Sequence, residues 1–341
     1  MIKINFPQKI KRRRKIIDHL KNNWSREHVL IKNQKLFDSL YKLKGNLNFL
    51  TLETKGKILS SIGLLFNNYK VSDLKKIFLL NNQVVWLTLW CTNKTILGND
   101  NLKLINFMIK KIQKNLTIAT VGCNFHTYKI YKALGFKCGQ LNHFYYLNKK
   151  KKTFNLVKNF TKNKISHFKK KKPKLSYRNF KTNYKLIYNV KNYEKIYKKN
   201  FEYFKRKYYY NKFYNYNFLF LKNKDFLRGF FISREDKFSN YKCLRLIEYF
   251  GSVDEISNLT NDFQKLCEER NFEYIDFYNF GISKKKIISS GFKIKKIKKK
   301  IIIPNYFKPF VQKNIKLRYA FYPSSEKMIF FKGDCDQDRP N

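Results

Sequence analysis

No run of this sequence reaches the roughly 18 consecutive apolar residues that a membrane-spanning helix needs. The longest convincing apolar stretch, residues 84–91, is short enough to read as a strand. The basic N-terminal stretch at residues 11–15 has no apolar region after it, which excludes a secretory signal of the ordinary form. Six cysteines are present (Cys91, Cys123, Cys138, Cys243, Cys267, Cys335), but no Cys-x-x-Cys pair and no neighbouring histidine cluster. That spacing excludes the common zinc sites and gives no disulfide framework, so the thiols are expected to be small buried side chains in a reducing compartment. A cytoplasmic protein without a bound metal follows as the expectation.

Arginine is also scarce. Only 12 of the 74 basic residues are arginine, against 23 acidic residues and a net charge of +51. A selected nucleic-acid surface favours the planar, bidentate arginine fork. Lysine, asparagine, isoleucine, phenylalanine and tyrosine, all abundant here, share codons rich in A and T. Genome composition and a polyanion-binding surface are therefore both open as sources of the charge.

What is present is ample material for cores: 43% hydrophobic and 18% aromatic residues in 341, a length that suits two domains. Residues 1–45 read as helical and polar, with Trp24, Val29, Leu30, Phe37, Leu40 and Leu43 at helical spacing. Residues 47–53 and 57–66 read as strands around a Lys55-Gly56 turn, and 84–92 as a strand buried on both faces. A loop holding Gly98 leads to a helix over 102–113, a strand over 116–121, a helix over 126–134 and a strand over 143–147. Residues 149–185, with lysine runs at 149–152 and 169–172, read as a basic linker. The order then restarts: strands at 217–221, 227–233 and 243–250, a loop opening at Gly251, a helix over 256–270, a strand over 273–278, a helix over 283–290 and a strand run over 292–303. The prediction is an α/β protein with two similar halves, 46–148 and 186–310, preceded by the helical segment 1–45 and followed by 311–341.

The first half contains N-F-H-T-Y-K-I-Y-K-A-L-G-F over residues 124–136, with Asn124, Tyr131, Gly135 and Phe136 at telling positions. Together with the element order over 47–148, it resembles the GNAT superfamily of acyl-CoA-dependent acyltransferases; the second half resembles it more weakly. The resemblance implies two GNAT-like domains in tandem, each a central twisted mixed sheet flanked by helices. It implies acyl-CoA, with acetyl-CoA foremost, as donor. The pantetheine arm would lie as an added strand where residues 87–92 splay from 117–122, against Leu89, Trp90 and Cys91. The pyrophosphate would meet the loop Gly98, Asn99 and Asn101 and the helix start at Leu102. Here the chain departs from the family: it has L-G-N-D-N in place of an Arg or Gln with two spaced glycines, and Asp100 puts like charge beside a phosphate. The resemblance gives Asn124 a bond to pantetheine and Tyr131 the role of acid to the departing thiolate; a tyrosine on that helix face also serves as core packing. Glu53, Asp73 and His143 are candidate general bases by residue type alone.

The second half echoes the motif through Asn279, Gly291 and Phe292 but has no tyrosine matching Tyr131 and no pyrophosphate loop, so it reads as a degenerate copy. Asp334, Asp336 and Asp338 alternate at the C-terminus like the opening of a calcium loop, without its glycine or closing glutamate. A solvated tail and a tail folded into a basic cleft are both open. The ending resembles GNAT-like proteins encoded with surface-polysaccharide genes, which implies an amino sugar or nucleotide sugar as acceptor. Two other readings remain: a non-catalytic RNA-binding or ribosome-associated protein using its lysine-rich surface, and a tandem peptidyltransferase using aminoacyl-tRNA.

Overall fold

A computed structural model of the chain describes residues 2–67, 83–93, 102–111, 116–160, 174–223, 226–257, 259–295, 300–336 and 338. Six strands of the first half, in chain order, are β1 (Ile2–Asn5), β2 (Phe49–Thr54), β3 (Lys57–Phe66), β4 (Gln83–Thr92), β5 (Leu116–Val121) and β6 (Lys137–Gln140). Next come β7 (Asn142–Leu147), β8 (Leu175–Asn179), β9 (Asn217–Asn223), β10 (Phe226–Phe238), β11 (Tyr241–Gly251), β12 (Phe272–Phe280) and β13 (Lys293–Ile294). Two strands near the C-terminus are β14 (Arg318–Tyr322) and β15 (Phe330–Phe331). The helices that matter below are α1 (Arg13–Asn23), α2 (Gln34–Tyr41), α3 (Lys103–Lys110), α4 (Phe125–Ala133), α5 (Thr260–Arg270) and α6 (Lys284–Ser289).

The period-2 pattern of β4 decides the layering of the first half. Val84 and Trp86 pack on one face with Ile16, Leu20, Phe37 and Tyr41 of α1 and α2. Val85 and Leu87 pack on the other with Leu104, Ile105 and Met108 of α3 and Tyr131 of α4. A strand between two helical layers must be apolar at every position, which is why its sequence shows no alternation. Lys55 and Gly56 both have positive φ, 42° and 72°, as the two-residue hairpin between β2 and β3 requires.

The first sheet runs β1-β2-β3-β4-β5-β14-β6, and the second β8-β9-β10-β11-β12-β7-β13, with β15 on β12. In each sheet one parallel pair, β4 with β5 and β11 with β12, sits among antiparallel neighbours. The halves thus repeat one topology and trade one strand. β7, read from the sequence as the last strand of the first half, pairs with β12 and β13 of the second sheet. β14, from the far end of the chain, enters the first sheet between β5 and β6. Only Leu141 separates β6 from β7, so the chain passes from one sheet to the other in a single residue.

Two further expectations change. Residues 1–45 are not helical throughout: β1 is an edge strand on β2, and α1 and α2 supply core side chains to the first sheet. The described ends of the expected linker are built into the second half. Leu156 and Val157 are buried against Tyr274 and Ile303, and β8 forms the sheet edge; the lysine run 169–172 lies outside the described residues. All six cysteines are free. Among the described residues no helix is long and apolar enough to cross a membrane.

Candidate active site

The opening in the first sheet is made by two local events in β4. Its ladder with β3 joins Ser61 to Cys91 and Gly63 to Thr88, so Leu89 and Trp90 together face the single residue Ile62. This is a bulge, and Leu89 takes a left-handed φ of 45° within it. A branched side chain rarely adopts that conformation, and such residues concentrate at functional sites. The parallel ladder with β5, meanwhile, ends at Trp86 and Ala119. Beyond that point the strands part and their facing backbone groups have no partner in each other.

A cavity of about 220 Å³ fills the gap. Leu87, Leu89 and Trp90 line it from β4, Thr120 and Val121 from β5, and Asn124 and Tyr131 from the turn and helix that follow. Asn124 is the N-cap of α4; its side-chain oxygen accepts from the Thr127 amide at 2.8 Å. Tyr131 is buried, with its ring 5.7 Å from Trp90 and 4.9 Å from Phe136. Burial holds its phenol well above the usual tyrosine range, and among the described residues the hydroxyl has no hydrogen-bond partner. Gly135, with φ of 81°, closes the helix, and Phe136 returns its amide to Tyr131 O at 3.1 Å.

The structure therefore gathers Leu89, Trp90, Asn124 and Tyr131 around one cavity. Cys91 lies one residue past the bulge, paired with Ser61, its thiol pushed up to about 12 by burial. Leu102 stands at the N-cap of α3 and does not line the cavity. Gly98, Asn99 and Asn101, with Asp73, lie outside the described residues. Glu53 is held elsewhere, 2.6 Å from Arg12 and accepting from Thr51; burial opposes its charge, but these partners outweigh it and lower its pKa. His143 is on β7 in the other sheet, stacked 3.9 Å from Tyr278, with its pKa lowered by burial.

Trp24, Cys335 and Asp336 line the cavity from outside the segments that the sequence marked as the cleft. Trp24 followed the helical apolar spacing of a core residue, yet it is 40% exposed at the cavity. Cys335 and Asp336 belong to the acidic C-terminus, which is not a solvated tail. Asp334, Asp336 and Asp338 are all buried. Asp334 lies 2.6 Å from the buried Lys199, which also pairs with Glu248 at 3.1 Å. Burial opposes the charge of Lys199, but these two carboxylates outweigh it and raise its pKa. Asp338 pairs with Arg234 at 3.3 Å. Lysine and arginine thus hold two of the three aspartates of the calcium-like pattern.

The second half has the same opening, already filled. A bulge in β11 sets Ile232 against Glu248 and Ser233 against Leu246, and the β11–β12 ladder ends at Leu246 and Phe277. Into the gap runs the chain itself. Phe331 pairs with Asn279, the Lys332 amide donates to Tyr278 O at 3.3 Å, and the Gly333 amide donates to Ile247 O at 3.0 Å. Asn279, expected to echo Asn124, is a buried strand residue and caps no helix; that place falls to Ser283. Gly291 does match Gly135, with φ of 89° at the end of α6.

No protein-family model and no curated protein matches this sequence. Solved structures do resemble it in fold. A GCN5-related N-acetyltransferase from Anabaena variabilis superposes with a TM-score of 0.56 at 8% identity, covering 94% of this chain and 72% of its own. One from Kribbella flavida gives 0.53 at 8% identity, over 94% of this chain and 70% of its own. The chain has the GNAT fold in a two-domain arrangement.

Proposed function

We propose that this protein is an acyltransferase that moves an acyl group, acetyl foremost, from coenzyme A to an amine or hydroxyl, using the first-half cleft alone. The observation that carries this reading is the parting of β4 and β5 beside the Leu89–Trp90 bulge. Freed backbone groups there can pair with the pantetheine arm as a strand does. Amides past Trp86, unpaired toward β5, can also donate to the thioester oxygen as charge builds on it. Asn124 keeps its amide nitrogen for the arm, since its oxygen is taken by the helix cap. Leu102 and the loop Gly98, Asn99 and Asn101 are assigned the pyrophosphate.

The acceptor nitrogen or oxygen attacks the thioester carbon, and the carbon–sulfur bond breaks. Tyr131 then gives its proton to the departing thiolate. Burial keeps the phenol in its protonated form, so a proton is present to be given. Holding donor and acceptor in one cleft removes much of the entropic barrier. A second cavity of about 320 Å³ meets the first at Cys335, which lines both. Lys42, Lys44, Arg206 and Lys207 line it beside Trp86 and Tyr210, which suits an acceptor with carboxylate or phosphate groups. A nucleotide sugar has that chemistry.

The test is acetyl-CoA-dependent thiol release with a panel of alkylamines, amino acids and nucleotide amino sugars. Tyr131→Phe is expected to slow turnover about a hundredfold while acetyl-CoA binding stays within about twofold. Because the hydroxyl has no partner among the described residues, the variant is expected to lose less than about 1 kcal/mol of stability. Turnover equal to wild type would remove Tyr131 from the chemistry and leave it as core packing.

A further inference from the structure

The acyl-transfer reading leaves one proton unassigned, the one the acceptor must lose. We infer that Asp336 takes it, and that the C-terminal segment exists in its present path to deliver this carboxylate to the cleft. The inference rests on the acyl-CoA reading of the first half.

Three observations converge on Asp336. Among the described residues that line the cavity it is the only carboxylate, and it stands there with Tyr131, Leu89 and Trp90. Its Oδ2 lies 3.5 Å from the Tyr41 hydroxyl, which in turn is 2.9 Å from Thr88 Oγ1, the residue on the N-terminal side of the bulge. Tyr41 and Thr88 belong to the α1–α2 side of the first sheet, whereas Tyr131 belongs to the α3–α4 side. A thioester at the bulge would thus have its acid on one side and its base on the other. That is the disposition transfer needs, because acceptor and leaving group occupy opposite sides of the tetrahedral carbon.

The segment that brings Asp336 there is fixed at each preceding residue. Phe330 and Phe331 form β15 on β12, Lys332 and Gly333 bond both parted strands of the second half, and Asp334 is anchored on Lys199. Cys335 then turns with a left-handed φ of 59° and donates its thiol to Leu87 O at 3.5 Å, at the apex where β4 leaves β5. A non-glycine residue in this conformation persists only where the surroundings over-determine it. The filled second cleft is the guide through which the first receives its base.

In the proposed step the Asp336 carboxylate takes a proton from the acceptor's ammonium group, which frees the nitrogen lone pair. The neutral amine attacks the thioester carbon: a carbon–nitrogen bond forms, the carbon–sulfur bond breaks, sulfur takes the Tyr131 proton, and the Tyr131 phenolate takes the proton that nitrogen sheds as the amide forms. Asp336 then releases its proton to solvent, so the cycle closes with acyl-amine and free thiol.

The experiment compares the full-length wild type with Asp336→Asn and Asp336→Glu, using acetyl-CoA and two classes of acceptor. Alkylamines and amino acids attack only after losing a proton, whereas methoxyamine is already neutral near pH 7 and depends less on a base. Asp336→Asn is expected to lose about a hundredfold or more in kcat with the basic amines and far less with methoxyamine. Its acetyl-CoA affinity should stay within about twofold, and Asp336→Glu should recover part of the rate. Equal losses with both classes, or a loss that follows weakened acetyl-CoA binding, would make Asp336 a structural residue and overturn the assignment. So would a wild type that binds acetyl-CoA yet releases no thiol with any acceptor. A wild type that does not bind acetyl-CoA at all overturns the acyl-CoA reading itself, and the base with it.

Discussion

Lys332 is enclosed where the C-terminal segment crosses the second half. Its Nζ donates to Asn305 O at 3.1 Å and lies 5.9 Å from the centre of the Tyr278 ring. Burial, with the nearby Arg245 guanidinium, lowers its pKa from 10.5 to about 7. Between those values the unfolded chain binds the proton that the folded chain has released, so this residue's contribution to stability rises with pH across that window and is lowest below it. Urea midpoints for wild type and Lys332→Met, compared at about pH 7 and about pH 9, are expected to show wild type gaining on the variant as pH rises. Parallel pH dependences would mean the ammonium is not held in this way. Single residues were unevenly legible in the sequence. Asn124, Tyr131, Gly135 and Phe136 lie within one turn-and-helix unit, whose spacing is local and can be read. The place of Asp336 depends on Tyr41 and Leu87, far away in the chain, and no local pattern records such a contact. Trp24 fails for a related reason: helical periodicity marks a face of a helix, not whether that face meets a core or a cleft.

At the scale of elements, the bulge and the parting of strands carry both halves, with opposite outcomes. In the first the gap is open; in the second the chain's own residues 330–333 occupy it. Gly333 is required there, because a Cβ at this position would meet Glu248 Cγ at 2.5 Å and Ile247 Cγ2 at 2.7 Å. Gly333→Ala is expected to cost about 1–3 kcal/mol, read as a lower denaturation midpoint. If the segment positions Asp336, the same variant should also slow acyl transfer; unchanged stability and rate would show that it tolerates displacement. The strands themselves were largely visible in the sequence, and β5 was read residue for residue. Their pairing was not. A strand's apolar pattern states which faces are buried but not beside which neighbour it lies, so nothing in residues 142–147 shows that they serve the second sheet.

The whole molecule is two copies of one topology locked by a reciprocal exchange of β7 and β14, with the C-terminal segment threaded through one cleft to the edge of the other. The repeat of about 150 residues announced the two halves. The exchange, and the burial of three aspartates in a chain of net charge +51, emerged only in three dimensions. Among the described residues the lysine excess is turned inward at few places, of which Lys199 and Lys332 are the deepest, and both hold the C-terminal segment. This division of labour makes a quantitative claim: one half binds the donor and the other half, filled by its own chain, does not. Calorimetric titration of acetyl-CoA into the full-length protein tests it most directly. The account predicts saturable binding of one acetyl-CoA per chain. Two sites per chain would contradict the filled second cleft, and no binding would contradict the acyl-CoA function itself.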